Sequence, residues 1–241
     1  MKNLINLTKK LKRKFSTKQF ITYFNNSEIF FDVTTIEKLE GIYLKDNRRS
    51  TVKLISIQGK KIVVKKPSDK DRRYWIRFLT LFRKSEAMSS LESMKILRKH
   101  NILTNRPLAC IEYRKFGMVI SSKMIYEYIE GSLASNMHSR EIIAVLKHIH
   151  SLGYLHGDPQ QKNFIFTNGK IATIDANLKR NYFGSIGKYV EYLKLSRKFQ
   201  DGYKYINTQS LSYKIANFYL QNYHFLKLFK KLRNIIKSYI K

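Results

Sequence analysis

His156-Gly157-Asp158-Pro159-Gln160-Gln161-Lys162-Asn163 is a polar octapeptide held between two apolar runs, Ile149–Leu155 before it and Phe164–Phe166 after it. Apolar brackets of that kind make the octapeptide a loop between buried elements. Within it a carboxylate, Asp158, is followed five residues on by an amide, Asn163. Phe164–Ile174 then reads as a strand, an Asn168-Gly169 turn and a second strand. That hairpin delivers a second carboxylate, Asp175. Each residue has a plain reading: Asp158 a turn former, Asn163 a cap, Asp175 a strand end. Taken jointly, the loop acid, the amide at that offset and the second acid after a hairpin favour a shared chemical role.

The spacing D-x4-N, with a His two residues before the acid and a further Asp after the next strand pair, resembles the catalytic loop of the kinase fold. There the first Asp takes a proton, and the Asn and the second Asp hold magnesium.

Length and composition set the frame. The chain has 241 residues, 43% of them apolar, enough for one large domain or two lobes. A single cysteine, Cys110, leaves no intramolecular disulfide and no Cys-based metal site, which suits a reducing compartment. No run approaches the roughly 18 apolar residues of a membrane span, and the N-terminus lacks a signal-peptide core, so a cytoplasmic location is expected. A formal charge of +30 marks a chain drawn to polyanions. Residues 1–20 combine Lys9, Lys10, Lys12, Arg13, Lys14 and Lys18 with Leu4, Ile5, Leu7, Leu11 and Phe15 near helical spacing, and the acid-free stretch 221–241 likewise joins lysines to an apolar stripe. Both are expected to favour an anionic membrane surface.

Three extended segments come first: Ile36–Leu44, Thr51–Ile57 and Lys61–Lys66, the last before Pro67. Ile62-Val63-Val64-Lys65 matches the strand that ends in the template's phosphate-binding lysine. Period-two alternation puts Lys65 and Lys66 on opposite faces. The loop between the first two strands has Lys45, Arg48, Arg49 and Ser50 where a glycine-rich phosphate loop would stand. Residues 72–100 read as helical, with stripes Trp75, Phe78, Leu79, Phe82 and Met88, Leu91, Met94, Leu97. Glu86 and Glu92 offer themselves as partners for Lys65, and Glu92, nearer the helix centre, is preferred. Two more strands, Leu108–Tyr113 and Met118–Ile125, lead to a hinge at 126–131. There the backbone of Glu127, Tyr128 and Ile129 would meet adenine. Ser139 is the expected N-cap of a helix over 140–152 that Gly153 stops, with Ile142, Leu146 and Ile149 facing the core and His148 and His150 serving as surface or packing residues. Residues 178–241 read as helical, with a stripe through Phe225, Leu228, Phe229 and Leu232.

Gly153-Tyr-Leu-His-Gly-Asp-Pro-Gln-Gln-Lys-Asn-Phe-Ile165, with Asn168-Gly169, Ile174-Asp175 and Met124–Gly131, is similar to the lipopolysaccharide core heptose(II) kinases, the RfaY/WaaY-like family. The similarity is clearest over about residues 86–180. It implies an α+β, two-lobed protein-kinase-like fold, with a small antiparallel-sheet N-lobe at 28–125 after a basic segment 1–27, a hinge at 126–131 and a mainly helical C-lobe at 132–241. It implies ATP and Mg2+, with Asp158 as base, Asn163 and Asp175 as metal ligands and Lys65 on the phosphates. The implied acceptor is lipid A–core, heptose II by preference, at the inner face of the inner membrane, with no nucleic-acid partner. Ala176-Asn177 departs from the usual D-F-G, and no A-P-E segment is present. Other readings are a kinase for Kdo or an aminoglycoside-like hydroxyl compound, and a non-catalytic polyanion-binding module.

Overall fold

The structure, a computed structural model, describes residues 18–23, 36, 39–68, 73–197 and 199–223. The chain divides into two compact units, Met1–Glu130 and Gly131–Lys241. The stripes expected at residues 1–17 and 224–241 lie outside the described residues.

The first unit carries a six-stranded antiparallel sheet in the order β1-β5-β6-β4-β3-β2. Its strands are β1 (Lys18–Tyr23), β2 (Ile42–Asp46), β3 (Ser50–Ile57), β4 (Lys60–Pro67), β5 (Pro107–Lys115) and β6 (Met118–Glu127). Gln58 and Gly59 close the β3–β4 hairpin at φ 50° and 74°, the left-handed pair that a tight two-residue turn requires. On one face Ile55, Ile62, Leu108, Ile111 and Ile125 form a buried cluster with Ile36. On the other, α2 (Glu86–Lys99) packs Ala87, Leu91 and Met94 against Cys110 and Met124. Each such fully buried side chain contributes about 1.5–3 kcal/mol.

Three expectations change here. The strand expected over Ile36–Leu44 begins only at Ile42, because the chain before it makes other contacts. The Leu39 carbonyl accepts from the Lys53 ammonium at 2.5 Å, and Gly41 lies so close to the Leu54 carbonyl that a Cβ would be 2.3 Å from it. Lys18–Tyr23, taken with the basic amphipathic N-terminus, is a strand paired along β5 from Lys18↔Arg114 to Tyr23↔Ala109. The two helices expected within 72–100 are present, but the first, α1 (Tyr74–Leu79), stops short of Phe82, and the second is α2. Thr80 ends the first: its hydroxyl donates to the Arg77 carbonyl at 2.5 Å and accepts the Val119 N–H at 2.8 Å. Ser85 starts the second, accepting the Met88 N–H at 3.1 Å as an N-cap.

In the second unit α3 (Ser139–Ser151) buries Ile142, Leu146 and Ile149, and Gly153 ends the turn at φ 80°. Ser139 is the helix's first residue rather than its N-cap: a 3-10 turn, Asn136–His138, precedes it, and the Ser139 hydroxyl donates back to the Asn136 carbonyl at 2.6 Å. Short strands β7 (Ser132–Leu133), β9 (Phe164–Thr167) and β10 (Lys170–Thr173) form one sheet, and β8 (Tyr154–Leu155) pairs with β11 (Lys179–Arg180). Asn168 and Gly169 close the β9–β10 hairpin at φ 47° and 73°. Helices α4 (Gly184–Ser196) and α5 (Leu211–Gln221) meet through Leu193, Ala216 and Leu220. The fold class is α+β. Antiparallel strands with α1 and α2 between the fourth and fifth come first, then helices around a loop and hairpin. No helix among the described residues is long and apolar enough to cross a membrane.

Candidate active site

The loop at 156–163 is tied down from three sides. From below comes Glu191 of α4, only 3% exposed. One of its oxygens accepts the Gly157 N–H at 2.7 Å; the other accepts the His156 N–H at 2.8 Å and meets His150 Nε2 at 2.9 Å. Burial pushes the Glu191 carboxyl up, but the His150 hydrogen bond and the two backbone N–H groups outweigh it and hold the carboxyl below its ordinary range. Tyr192, whose hydroxyl is pushed up to about 12 by burial and by Tyr189 and Glu191, meets His150 Nδ1 at 3.0 Å.

From the hairpin side comes Thr173, the last residue of β10. His156 is fully buried and its Nε2 lies 2.6 Å from Thr173 Oγ1. Its Nδ1 accepts the Asp158 N–H at 3.4 Å, so the proton sits on Nε2 and goes to the threonine. Burial lowers the imidazole below its usual pKa, against the opposing pull of Glu191, Asp158 and Asp175, so a neutral ring fits both hydrogen bonds. From the third side comes Asn177. Its N–H donates to the His156 carbonyl at 3.1 Å, and its own carbonyl would lie 2.3 Å from a Cβ on Gly157, which stands at φ 91°. Only glycine fits there. The segment Ala176-Asn177 therefore packs against the loop through its backbone, with Ala176 fully buried.

What this holding leaves outside is Asp158, which is exposed. The Gln160 amide donates to Asp158 Oδ1 at 2.6 Å and so turns the carboxylate. Asn163 is buried and its Nδ2 donates to the Asp158 carbonyl at 2.8 Å. The same Nδ2 lies 3.5 Å from Asp158 Oδ2. Asp175 follows β10 at φ 58°, a left-handed conformation uncommon for a non-glycine and typical of functional turns. The Asn163 N–H and carbonyl are spent on Gln160 and Ile174, which binds the loop's end to the residue before Asp175. An amide oxygen and a carboxylate are hard-oxygen donors, the type that Mg2+ takes when phosphates and water complete its shell. Among the described residues no cluster of three or more His, Cys, Asp or Glu could supply an all-protein cage.

In the first unit Lys65 lies opposite Met124 and Val64 opposite Ile125. Residues directly opposite share a face. Met124 belongs to the α2-covered face and Ile125 to the other, so Lys65 emerges on the helix side, half-buried, and Lys66 on the far side, exposed. Glu92 is occupied: both its oxygens accept from the Lys84 ammonium, at 2.6 and 2.8 Å. At about 100° per residue Glu86 and Glu92 both lie off the Ala87, Leu91, Met94 line that meets the sheet, one on either side of it. In the segment 126–131 the Glu127 N–H donates to the Arg106 carbonyl and its carbonyl accepts from Asn105 Nδ2, both at 2.9 Å. The Tyr128 N–H donates to the Lys61 carbonyl. Among the described residues Ile129 spends neither backbone group in this way.

Sequence reasoning passes over Glu191, Tyr192 and Gln160, while His150, expected as a surface or packing residue, is buried and packs against Tyr192. Gln160 stands inside the motif, two residues from Asp158. Glu191 lies 34 residues beyond Gly157, in a stretch legible only as helical and basic.

The loop thus presents one acid, and the hairpin that follows returns a second just after the residue bonded to the buried amide's backbone. The chain belongs to the WaaY family of lipopolysaccharide core biosynthesis proteins, whose family model matches residues 11–239. A comparison with curated proteins gives no match. Among solved structures, WaaP in complex with acyl carrier protein is similar at 12% identity, over 82% of this chain and 89% of that one, with a TM-score of 0.48.

Proposed function

We propose that this protein transfers the γ-phosphate of ATP to a heptose hydroxyl of the lipopolysaccharide inner core, heptose II by preference. The observation that carries the reading is the exposure of Asp158 on a loop whose neighbours are buried or hydrogen-bonded, in a chain of the WaaY family. Asp158, oriented by Gln160, accepts the sugar hydroxyl's proton as the oxygen attacks. Asn163 Oδ1 and Asp175 would hold Mg2+, whose charge offsets that of the phosphate oxygens when bound. Lys65 would bind phosphate, and Glu86 rather than Glu92 is the acid to steady it, since Glu92 is engaged by Lys84. The free backbone groups of Ile129 make it the leading adenine contact of the three at the hinge. The chain's part in catalysis is positioning and preorganised charge.

The acceptor keeps its lipid in a bilayer, so the enzyme works at the anionic inner face of the inner membrane. The test is radiolabelled ATP with purified lipid A–core acceptors of defined truncation. Label should pass to acceptors that contain heptose II and not to those that end before it. Equal labelling of both, or labelling of Kdo alone, overturns the acceptor assignment.

A further inference from the structure

The sequence stripe Trp75, Phe78, Phe82 has the spacing of a core-facing helix side, yet it faces solvent. Trp75 is 69% exposed, Phe78 44% and Phe82 81%, with Tyr74 and Leu81 exposed beside them, and α1 has no buried residue. The rings pack on one another instead of on the sheet. Trp75 stacks on Phe78 with centroids 5.7 Å apart, and Phe78 meets Phe82 edge-on at 6.0 Å. The ridge is nonetheless fixed in place. Thr80 bonds to the backbone of β6, and Leu81 lies against Gly117 of the β5–β6 turn, 3.0 Å from where a Cβ would stand. The exposure is therefore built in. Around the ridge residues 73–85 carry Arg73, Arg77, Arg83 and Lys84 and no acid, on a chain of net charge +30.

We propose that the α1 ridge is a membrane-docking surface, on which Trp75, Phe78 and Phe82 enter the headgroup boundary of an anionic bilayer and the flanking arginines meet its phosphates. Charge complementarity selects an anionic partner, since Arg73, Arg77 and Arg83 stand along the apolar face, with Lys84 beside them paired to Glu92. The apolar chemistry selects a lipid one. Trp, Phe and Leu on one side with Lys and Arg around them is the composition of an interfacial helix. The rings are stacked on each other, not splayed to receive bases between them as on a nucleic-acid platform. Each cation near an anionic surface is worth about fivefold in affinity, and the effect fades with salt. The site is distinct from the basic termini. It rests on the proposed function only in explaining how a membrane-held acceptor is reached, and its test uses neither ATP nor acceptor.

Trp75 is the chain's one tryptophan, so its emission reports on this ridge alone. Full-length protein is mixed with vesicles of phosphatidylethanolamine and phosphatidylglycerol, with phosphatidylcholine vesicles as the neutral control. The emission should shift to the blue with the anionic vesicles, be quenched when their acyl chains are brominated, and return when salt is raised. The double variant Phe78→Ser, Phe82→Ser should lose at least tenfold in vesicle affinity while keeping its melting temperature. Several results overturn the proposal. Sedimentation with anionic vesicles while Trp75 emission and bromolipid quenching stay silent puts docking elsewhere. Emission already blue before lipid is added means the ridge is covered by the chain itself or by a second copy. Quenching by an oligonucleotide or an acidic protein but not by vesicles means a different partner. Radiolabel transfer fails or succeeds independently of all three.

Discussion

The loop that carries Asp158 and the ridge that carries Trp75 break the usual sorting of residues in opposite directions. Beneath the loop the chain buries a carboxylate and two imidazoles. On the ridge it exposes a tryptophan and two phenylalanines. Buried polar groups are tolerated when their hydrogen bonds are made, and around Glu191 they are made within the chain: three donors on one carboxylate, two partners for each ring. The exposed rings find only each other. The difference teaches where each region's function lies. A polar network completed internally serves geometry, holding a loop so that one acid stands out. An apolar surface left incomplete serves an external partner.

The sharpest way to break the first half is Asp158→Asn. The substitution keeps the shape and the Gln160 contact but removes the base, and phosphate transfer should fall by about 10²–10⁴-fold with the melting temperature unchanged. Turnover near wild type would show that the exposed acid is only a turn former. Next comes the support. Glu191→Ala leaves His150 and the N–H groups of His156 and Gly157 buried without an acceptor, and should cost about 3–5 kcal/mol in denaturant unfolding. Glu191→Gln keeps one acceptor oxygen and should cost less. If Glu191→Ala melts like wild type, the loop is held by something other than this network.

How far the sequence reveals these regions follows from the range of the interactions. The Asp158, Asn163, Asp175 spacing is legible because loop, amide and hairpin are consecutive, and the Asn168-Gly169 turn fixes their register. Glu191 is not, because its partners are backbone N–H groups that leave no side-chain signature and lie on a distant segment. The Lys65 face is legible from period-two alternation, whereas the choice between Glu86 and Glu92 as its partner is not, because position along a helix does not tell which side of it meets the sheet. Periodicity located the Trp75 stripe but not its surroundings, since a helical repeat is the same whether the face meets core or water. The strand Lys18–Tyr23 was missed for a related reason: its pairing with β5 is across the sheet, while the lysines before it suggested a helix.

A smaller effect sharpens the internal half. His156 is held below the ordinary imidazole pKa of 6.5 by burial, with Glu191, Asp158 and Asp175 opposing and His150 adding to the lowering. The unfolded chain therefore binds a proton at a higher pH than the folded one. The stability this neutral ring contributes is complete above about pH 6.5 and declines as pH falls below it, at up to about 1.4 kcal/mol per pH unit until the folded-state pKa is reached. Urea midpoints measured from pH ~7.5 down to ~5 should fall accordingly. In His156→Gln, whose amide can still bond Thr173 but does not titrate, that decline should flatten. An equally steep decline in the variant would assign it to other groups.

The smallest effect tests the external half. Phe82 is 81% exposed and touches the rest of the fold mainly through the Phe78 ring. Phe82→Ser removes a large apolar group from water rather than from a core, so neither a cavity nor an unsatisfied polar atom results. The change in folding free energy should stay within about 0.5 kcal/mol, the range of ordinary surface substitutions. Core phenylalanines behave differently: truncation of one costs about 3–5 kcal/mol, and Phe164, fully buried beneath His156, is the internal standard. A loss at Phe82 approaching that at Phe164→Ala would mean that the ridge is packed in the folded protein, and the opposition between a region completed from within and one completed from outside would collapse. A negligible loss leaves Phe82 with no structural reason to be aromatic. The ring then has to be explained by what it meets beyond the chain.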